Sequence, residues 1–103
     1  MERVVITGMG AVTPIGNDVP TFWQSLKDGK CGIGPITRFD VSDYKVKLAA
    51  EVKDFDISQY VEGREAKRMD KSSHFAIAAA QQAVDQAGMP PGTFNPYRTG
   101  VIY

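Results

Sequence analysis

The sequence has few of the residues that most often build metal, redox or proton-transfer sites. Its 103 residues include one cysteine, Cys31, and one histidine, His74. A single cysteine cannot form a disulfide within the chain, and neither residue has partners at the spacing of a zinc or redox motif. We therefore expect no metal site, and the lone cysteine fits a reducing compartment.

The sequence also lacks an excess of charge of either sign. Its 12 basic and 12 acidic side chains cancel, so no global field favours nucleic acid or a membrane surface. No apolar stretch approaches the about 18–20 residues that cross a bilayer, and no cationic segment leads into an apolar signal core. Together these absences predict a cytoplasmic protein.

Hydrophobic spacing predicts alternating strands and helices along the whole chain, an α/β pattern. Asn17 or Asp18 is a suitable helix cap, and Gly88 a suitable helix end. The expected elements are a strand over residues 3–8, a helix over 18–28, a loop and strand over 30–53, a long helix over 64–87 and the start of a strand at 99–103.

Small residues recur along one side of the expected long helix. Ala76, Ala80, Ala83 and Ala87 fall on a single stripe. Because small side chains leave little distance between backbones, this stripe predicts the close approach of another helix or sheet.

The glycine-rich opening is compared first with a dinucleotide-binding turn. Gly8 and Gly10 match the first two glycines of that motif, but Thr13 stands at the third glycine and Pro14 follows it. The next helix also begins too late to hold a pyrophosphate. We interpret these glycines as allowing tight backbone turns between packed layers, and no cofactor is indicated.

Four cations repeat at spacing i, i+3, i+4 and i+7, which is one face of a continuous helix. They are Arg64, Lys67, Arg68 and Lys71. Near the N-terminal end of the long helix, cations are unfavourable for helix stability. They form either a solvated surface partly neutralised by Glu65 and Asp70, or a docking patch for an acidic protein.

Five segments in the order of this chain resemble the N-terminal segment of β-ketoacyl-[acyl-carrier-protein] synthases, most closely the elongating type II form. They are spread from residue 4 to residue 103, so the resemblance extends over nearly the whole chain. The segments read VVITGMGAVTPIGN, FWQSLKDGKCGIGPITRFD, LAAEVKDFD, REAKRMD and RTGVIY.

This resemblance implies a thiolase-like fold, in which two similar halves stack as α/β/α/β/α layers in a homodimer. The chain would supply the first part of the first half. Because it stops at Tyr103, we expect the fold to be incomplete, with a missing sheet neighbour and a poorly covered alanine stripe.

The resemblance also implies a reaction. Family members transfer an acyl group from acyl-carrier protein to a cysteine, and two histidines assist decarboxylation of malonyl-carrier protein. The product is a β-ketoacyl chain two carbons longer. Cys31 and His74 match neither the nucleophile nor the catalytic histidines, so no catalytic residue is expected before Tyr103.

One functional feature of the family falls within this chain. In related synthases the cations at the positions of Arg64, Lys67 and Arg68 face the acidic carrier protein; Lys71 is supported by helix geometry alone. Two alternatives stay open: a polyketide-type ketosynthase or chain-length factor, and a non-catalytic fragment that binds carrier protein.

Overall fold

The computed structural model describes residues 1–103 as a mixed α/β chain of three helices and one pair of strands. None of the helices combines the length and hydropathy needed to cross a membrane. The elements are α1 (Val19–Lys27), β1 (Ile33–Pro35), β2 (Leu48–Ala50), α2 (Gly63–Ala66) and α3 (Lys71–Ala87), with short 3₁₀ turns at Ile57–Gln59 and Pro96–Arg98.

α1 lies within residues 18–28, the first segment expected to be helical. The Asp18 carboxylate accepts a hydrogen bond from the Thr21 amide at 2.7 Å, which satisfies a free donor of the first turn. Ser25 is buried, and its hydroxyl donates to the Ile15 carbonyl at 2.7 Å. These bonds fix both the start of α1 and its contact with the preceding loop.

β1 and β2 form an antiparallel pair within residues 30–53, where a loop and one strand were expected. Ile33 pairs with Ala50, and Pro35 pairs with Leu48. Proline is compatible with this pairing because each strand of a two-stranded sheet is an edge strand. The additional strand, β1, therefore comes from the expected loop.

The two terminal segments expected to be strands, residues 3–8 and 99–103, form no β-ladder in the structure. A strand is stabilised through hydrogen bonds to a neighbour, and neither segment has one. Their large side chains are exposed, with Val4 90% and Ile102 100% accessible. The strand predictions for these residues are wrong for this chain, since no paired neighbour is present.

Residues 8–10 pack directly against the backbone of α3. A Cβ atom added at Gly8 would overlap the carbonyl oxygen of Ala83, and one added at Gly10 would overlap that of Ala79. A close approach to α3 is therefore present, as the alanine stripe predicts. Its partner is the extended segment before α1 rather than the expected helix or sheet, and it contacts Ala79 beside the stripe as well as Ala83 within it.

Glutamine side chains of α3 bond to the backbone of the same segment. The Met9 amide donates to Oε1 of Gln86 at 2.7 Å, and the Ala11 amide donates to Oε1 of Gln82 at 3.0 Å. Side-chain acceptors on a helix thus take the place of a neighbouring strand for these two amides.

The single long helix expected over residues 64–87 is interrupted at residues 67–70. Asp70 has an extended backbone, and its carboxylate accepts hydrogen bonds from the Ser73 amide at 3.0 Å and the Ser72 hydroxyl at 2.7 Å. A capping residue of this kind begins a new helix. The prediction of one continuous helix is therefore wrong.

Little of the chain is shielded from solvent. Of its 103 residues, only Ser25, Ala66 and Ala78 are buried. The radius of gyration is 16.8 Å, whereas a compact domain of about 100 residues has a radius of about 13 Å. Contacts between elements include the β1–β2 pairing, the packing of α2 on the 3₁₀ turn Ile57–Gln59, and the contact of residues 8–10 with α3.

Candidate functional site

Residues 64–71, here called the basic segment, carry the four cations singled out in the sequence. Arg64 lies in α2, Lys67 caps the C-terminal end of α2, Arg68 lies in the following turn, and Lys71 is the first residue of α3. All four residues are exposed. None forms an ion pair within the chain, whose single ion pair lies elsewhere.

The break between α2 and α3 corrects the geometry predicted for these cations. Their spacing places them on one face only if the helix is continuous, and it is not. Lys67 is the C-cap of α2, where the backbone favours cations, and Arg64 lies within this single turn. Lys71 alone lies at the N-terminal end of the longer helix. The basic segment thus runs from α2 through the turn to the first residue of α3, and does not form a stripe on one helix.

The acidic residues considered as neutralising partners, Glu65 and Asp70, form no ion pair with these cations. The Ser73 amide, followed by the Ser72 hydroxyl, holds the pKa of the Asp70 carboxyl below its ordinary value of 3.8. Asp70 is therefore ionised at neutral pH and serves as the cap of α3. The cations stay available to another molecule.

His74 connects the two sides of the turn. Its Nε2 atom lies 2.8 Å from the carbonyl oxygen of Ala66, the last residue of α2. Because a carbonyl oxygen can only accept, Nε2 carries the hydrogen. The sequence predicts no metal-binding or catalytic role for His74 and does not reveal this contact, because residues 66 and 74 are too far apart in a continuous helix to bond.

A cavity of about 370 Å³ adjoins the basic segment, with Lys71 and His74 in its lining. Phe75 and Phe55 line the same cavity, and their rings pack edge to face with centroids 5.2 Å apart. This aromatic contact anchors the N-terminal part of α3 to a residue that precedes α2.

Cys31 lines a different, open groove of about 550 Å³. The Lys53 ammonium group in this groove donates to the carbonyl oxygens of Gly32 and Glu51, both at 3.1 Å. No histidine lines the groove, so the Cys31 thiol has no imidazole to activate it. No three His, Cys, Asp or Glu side chains of the chain are grouped to hold a metal ion.

The protein family of the chain is identified by comparison with family models. The model of the β-ketoacyl synthase N-terminal domain matches residues 1–103, which is the whole chain. The chain belongs to the β-ketoacyl synthase family. The resemblance inferred from the five sequence segments is confirmed.

Two curated relatives of the chain share one name. The chain is 50% identical over 101 residues to 3-oxoacyl-[acyl-carrier-protein] synthase 2 of Synechocystis sp., covering 98% of the chain and 24% of that protein. It is 47% identical over 100 residues to the protein of the same name from Staphylococcus aureus strain COL, covering 97% and 24%. The chain thus spans about a quarter of the length of these relatives.

A solved structure in the β-ketoacyl synthase family has the same backbone arrangement. The ishigamide ketosynthase/chain length factor superposes with a TM-score of 0.79 at 34% identity, over 88% of this chain and 23% of that one. The expected fold class is confirmed: the chain is a partial α/β segment of the N-terminal domain of a thiolase-like fold.

Proposed function

We propose that the chain is the N-terminal part of a 3-oxoacyl-[acyl-carrier-protein] synthase that elongates fatty acyl chains by decarboxylative condensation with malonyl-carrier protein. The observation that carries this proposal is the 50% identity over 98% of the chain to a relative of that name. In this proposal the nucleophilic cysteine and both histidines lie outside residues 1–103. The direct test is formation of a 3-oxoacyl product by the intact protein, detected by mass spectrometry.

A polyketide-type ketosynthase or chain-length factor is the second candidate. It is favoured by the structural likeness to the ishigamide ketosynthase/chain length factor, but that identity is 34%, lower than the 50% and 47% of the two synthases. We further propose that the complete enzyme is a cytoplasmic homodimer, which rests on the family resemblance.

We also propose that Arg64, Lys67 and Arg68 bind the acidic acyl-carrier protein. Support comes from their exposure and from the absence of ion pairs within the chain. Exposed charges of this kind mainly raise the association rate and set the orientation of the partner. Lys71 is a weaker member of this surface, because it lies on the other helix.

The docking proposal is tested by reversing all three charges, as Arg64→Glu, Lys67→Glu and Arg68→Glu, in the intact enzyme. We expect KM for the carrier-bound acyl substrate to rise about tenfold or more, with kcat little changed, because each lost surface pair contributes modestly and the three add. The salt dependence of KM should also weaken.

The matched control reverses three other exposed cations, Lys27, Lys30 and Lys45, which have no ion pair in the chain. It changes the net charge equally and should raise KM much less. A basic-segment variant whose KM and salt dependence equal those of the unmodified enzyme would show that carrier protein docks elsewhere.

A further inference from the structure

We infer that His74 is a positioning residue for carrier-protein docking: its hydrogen bond to Ala66 holds the basic segment in place on α3. This inference rests on the docking function proposed above. It assigns His74 no contact with substrate, since its imidazole acts on the turn that carries Arg64, Lys67 and Arg68.

α3 is well anchored without His74. Gln82 donates from Nε2 to the Asn17 carbonyl at 2.7 Å and to the Tyr60 hydroxyl at 3.2 Å. Phe75, the fifth residue of α3, packs against Phe55. α3 is therefore a fixed element against which the basic segment can be positioned.

α2 packs against the 3₁₀ turn Ile57–Gln59, but its hydrogen bonds to the rest of the chain are few. It has four residues, and its N-cap residue Glu62 makes no side-chain capping bond. A helix this short is unstable without tertiary contacts. The bond from His74 to Ala66 is the only hydrogen bond that joins residues 62–69 to another part of the chain.

The hydrogen bond from His74 reaches the basic segment at the buried residue Ala66. The Ala66 carbonyl also accepts from the Met69 amide at 3.2 Å, within the turn that contains Lys67 and Arg68. Ala66 itself is buried, with 5% of its surface accessible. His74 therefore binds the turn at its one buried residue, while the neighbouring cations stay exposed.

The test compares His74→Leu, which removes the donor, with His74→Gln, whose amide can still donate to a carbonyl. Each is measured in the intact enzyme with a carrier-bound acyl substrate and with a carrier-free acyl thioester. We expect His74→Leu to raise KM for the carrier-bound substrate about threefold to tenfold, the effect of one lost tertiary hydrogen bond. kcat and the carrier-free reaction should be unchanged, and His74→Gln should restore KM.

A second comparison links the effect to the cations. With Arg64, Lys67 and Arg68 all replaced by alanine, His74→Leu should have no further effect on KM, because nothing remains to be positioned. An equal effect in both backgrounds would overturn the inference. So would loss of carrier-free activity in His74→Leu, which would give the imidazole a general structural role.

Failure of this inference is distinguishable from failure of the docking proposal. If the alanine triple variant binds carrier protein normally, the docking proposal fails, and the inference fails with it. If the triple variant binds weakly but His74→Leu binds normally, docking stands and the role of His74 is refuted.

Discussion

At the residue scale, the tightest packing in the chain depends on the absence of a side chain. Neither Gly8 nor Gly10 has a positive φ, and a Cβ at either position would overlap a carbonyl oxygen of α3. From the sequence, these glycines are predicted to allow tight turns, whereas the structure requires glycine at both positions for close approach to α3. The involvement of α3 was predictable, because the alanine stripe marks a side of this helix that another segment can contact closely.

This packing predicts that Gly10→Ala destabilises the intact protein. The added methyl group would overlap the Ala79 carbonyl oxygen, which belongs to helix backbone and cannot turn aside as a side chain can. We expect a loss of about 1–3 kcal/mol in the free energy of unfolding, the usual cost of overpacking. Urea denaturation measures this loss.

Gly34→Ala is the matched control, since an added Cβ there meets no atom within 4 Å. Its free energy of unfolding should stay close to that of the unmodified protein. Equal destabilisation by the two substitutions would contradict the close contact between residues 8–10 and α3.

At the element scale, helix boundaries were predictable where a cap and a stop signal agree with the hydrophobic period. α1 has both, in Asp18 and Gly29. The break at residues 67–70 was missed, because the period of the four cations continues through it. Asp70 followed by serines is an N-cap signal that the sequence does contain.

The candidate site, too, was predictable only in part. The basic residues could be chosen from the sequence, because exposed cations at a regular spacing are visible there. Their arrangement could not, since it depends on the Asp70 cap and on the contact between His74 and Ala66. A hydrogen bond to a backbone carbonyl leaves no signature in the spacing of side chains.

The Asp70 cap predicts a pH-dependent stabilisation of α3. Hydrogen bonds from Ser73 and Ser72 lower the pKa of Asp70 below 3.8 in the folded state. Its contribution is therefore complete above about pH 3.8 and is lost as the pH falls through the lower folded value. The free energy of unfolding in urea should fall in this acid range more steeply for the unmodified protein than for Asp70→Asn, which caps without titrating.

The neutral-pH comparison uses Asp70→Ala beside Asp70→Asn. The alanine variant loses the acceptor for the Ser73 amide and should be clearly less stable than the asparagine variant at pH 7. If alanine and asparagine were equally stable, the side-chain cap would have no role in starting α3.

At the scale of the whole molecule, many large apolar side chains of residues 1–103 are exposed to solvent. Large side chains are exposed at both ends, including Ile6 at 85% and Val101 at 94%. The missing sheet neighbour expected from the sequence predicts this exposure. Composition could not reveal it, because 43% hydrophobic residues is also typical of a closed domain.

The exposed apolar surface predicts that residues 1–103 expressed alone do not form a stable monomer. Three buried residues are too few for a cooperative core, and uncovered apolar patches promote association. We expect strong binding of a hydrophobic dye, weak near-ultraviolet circular dichroism from Trp23, and aggregation in sedimentation velocity. The intact protein, measured alongside, should show none of these properties. A monomeric segment that unfolds in one sharp transition would mean that residues 1–103 pack more tightly than the structure shows, and the segment would then be a domain in its own right.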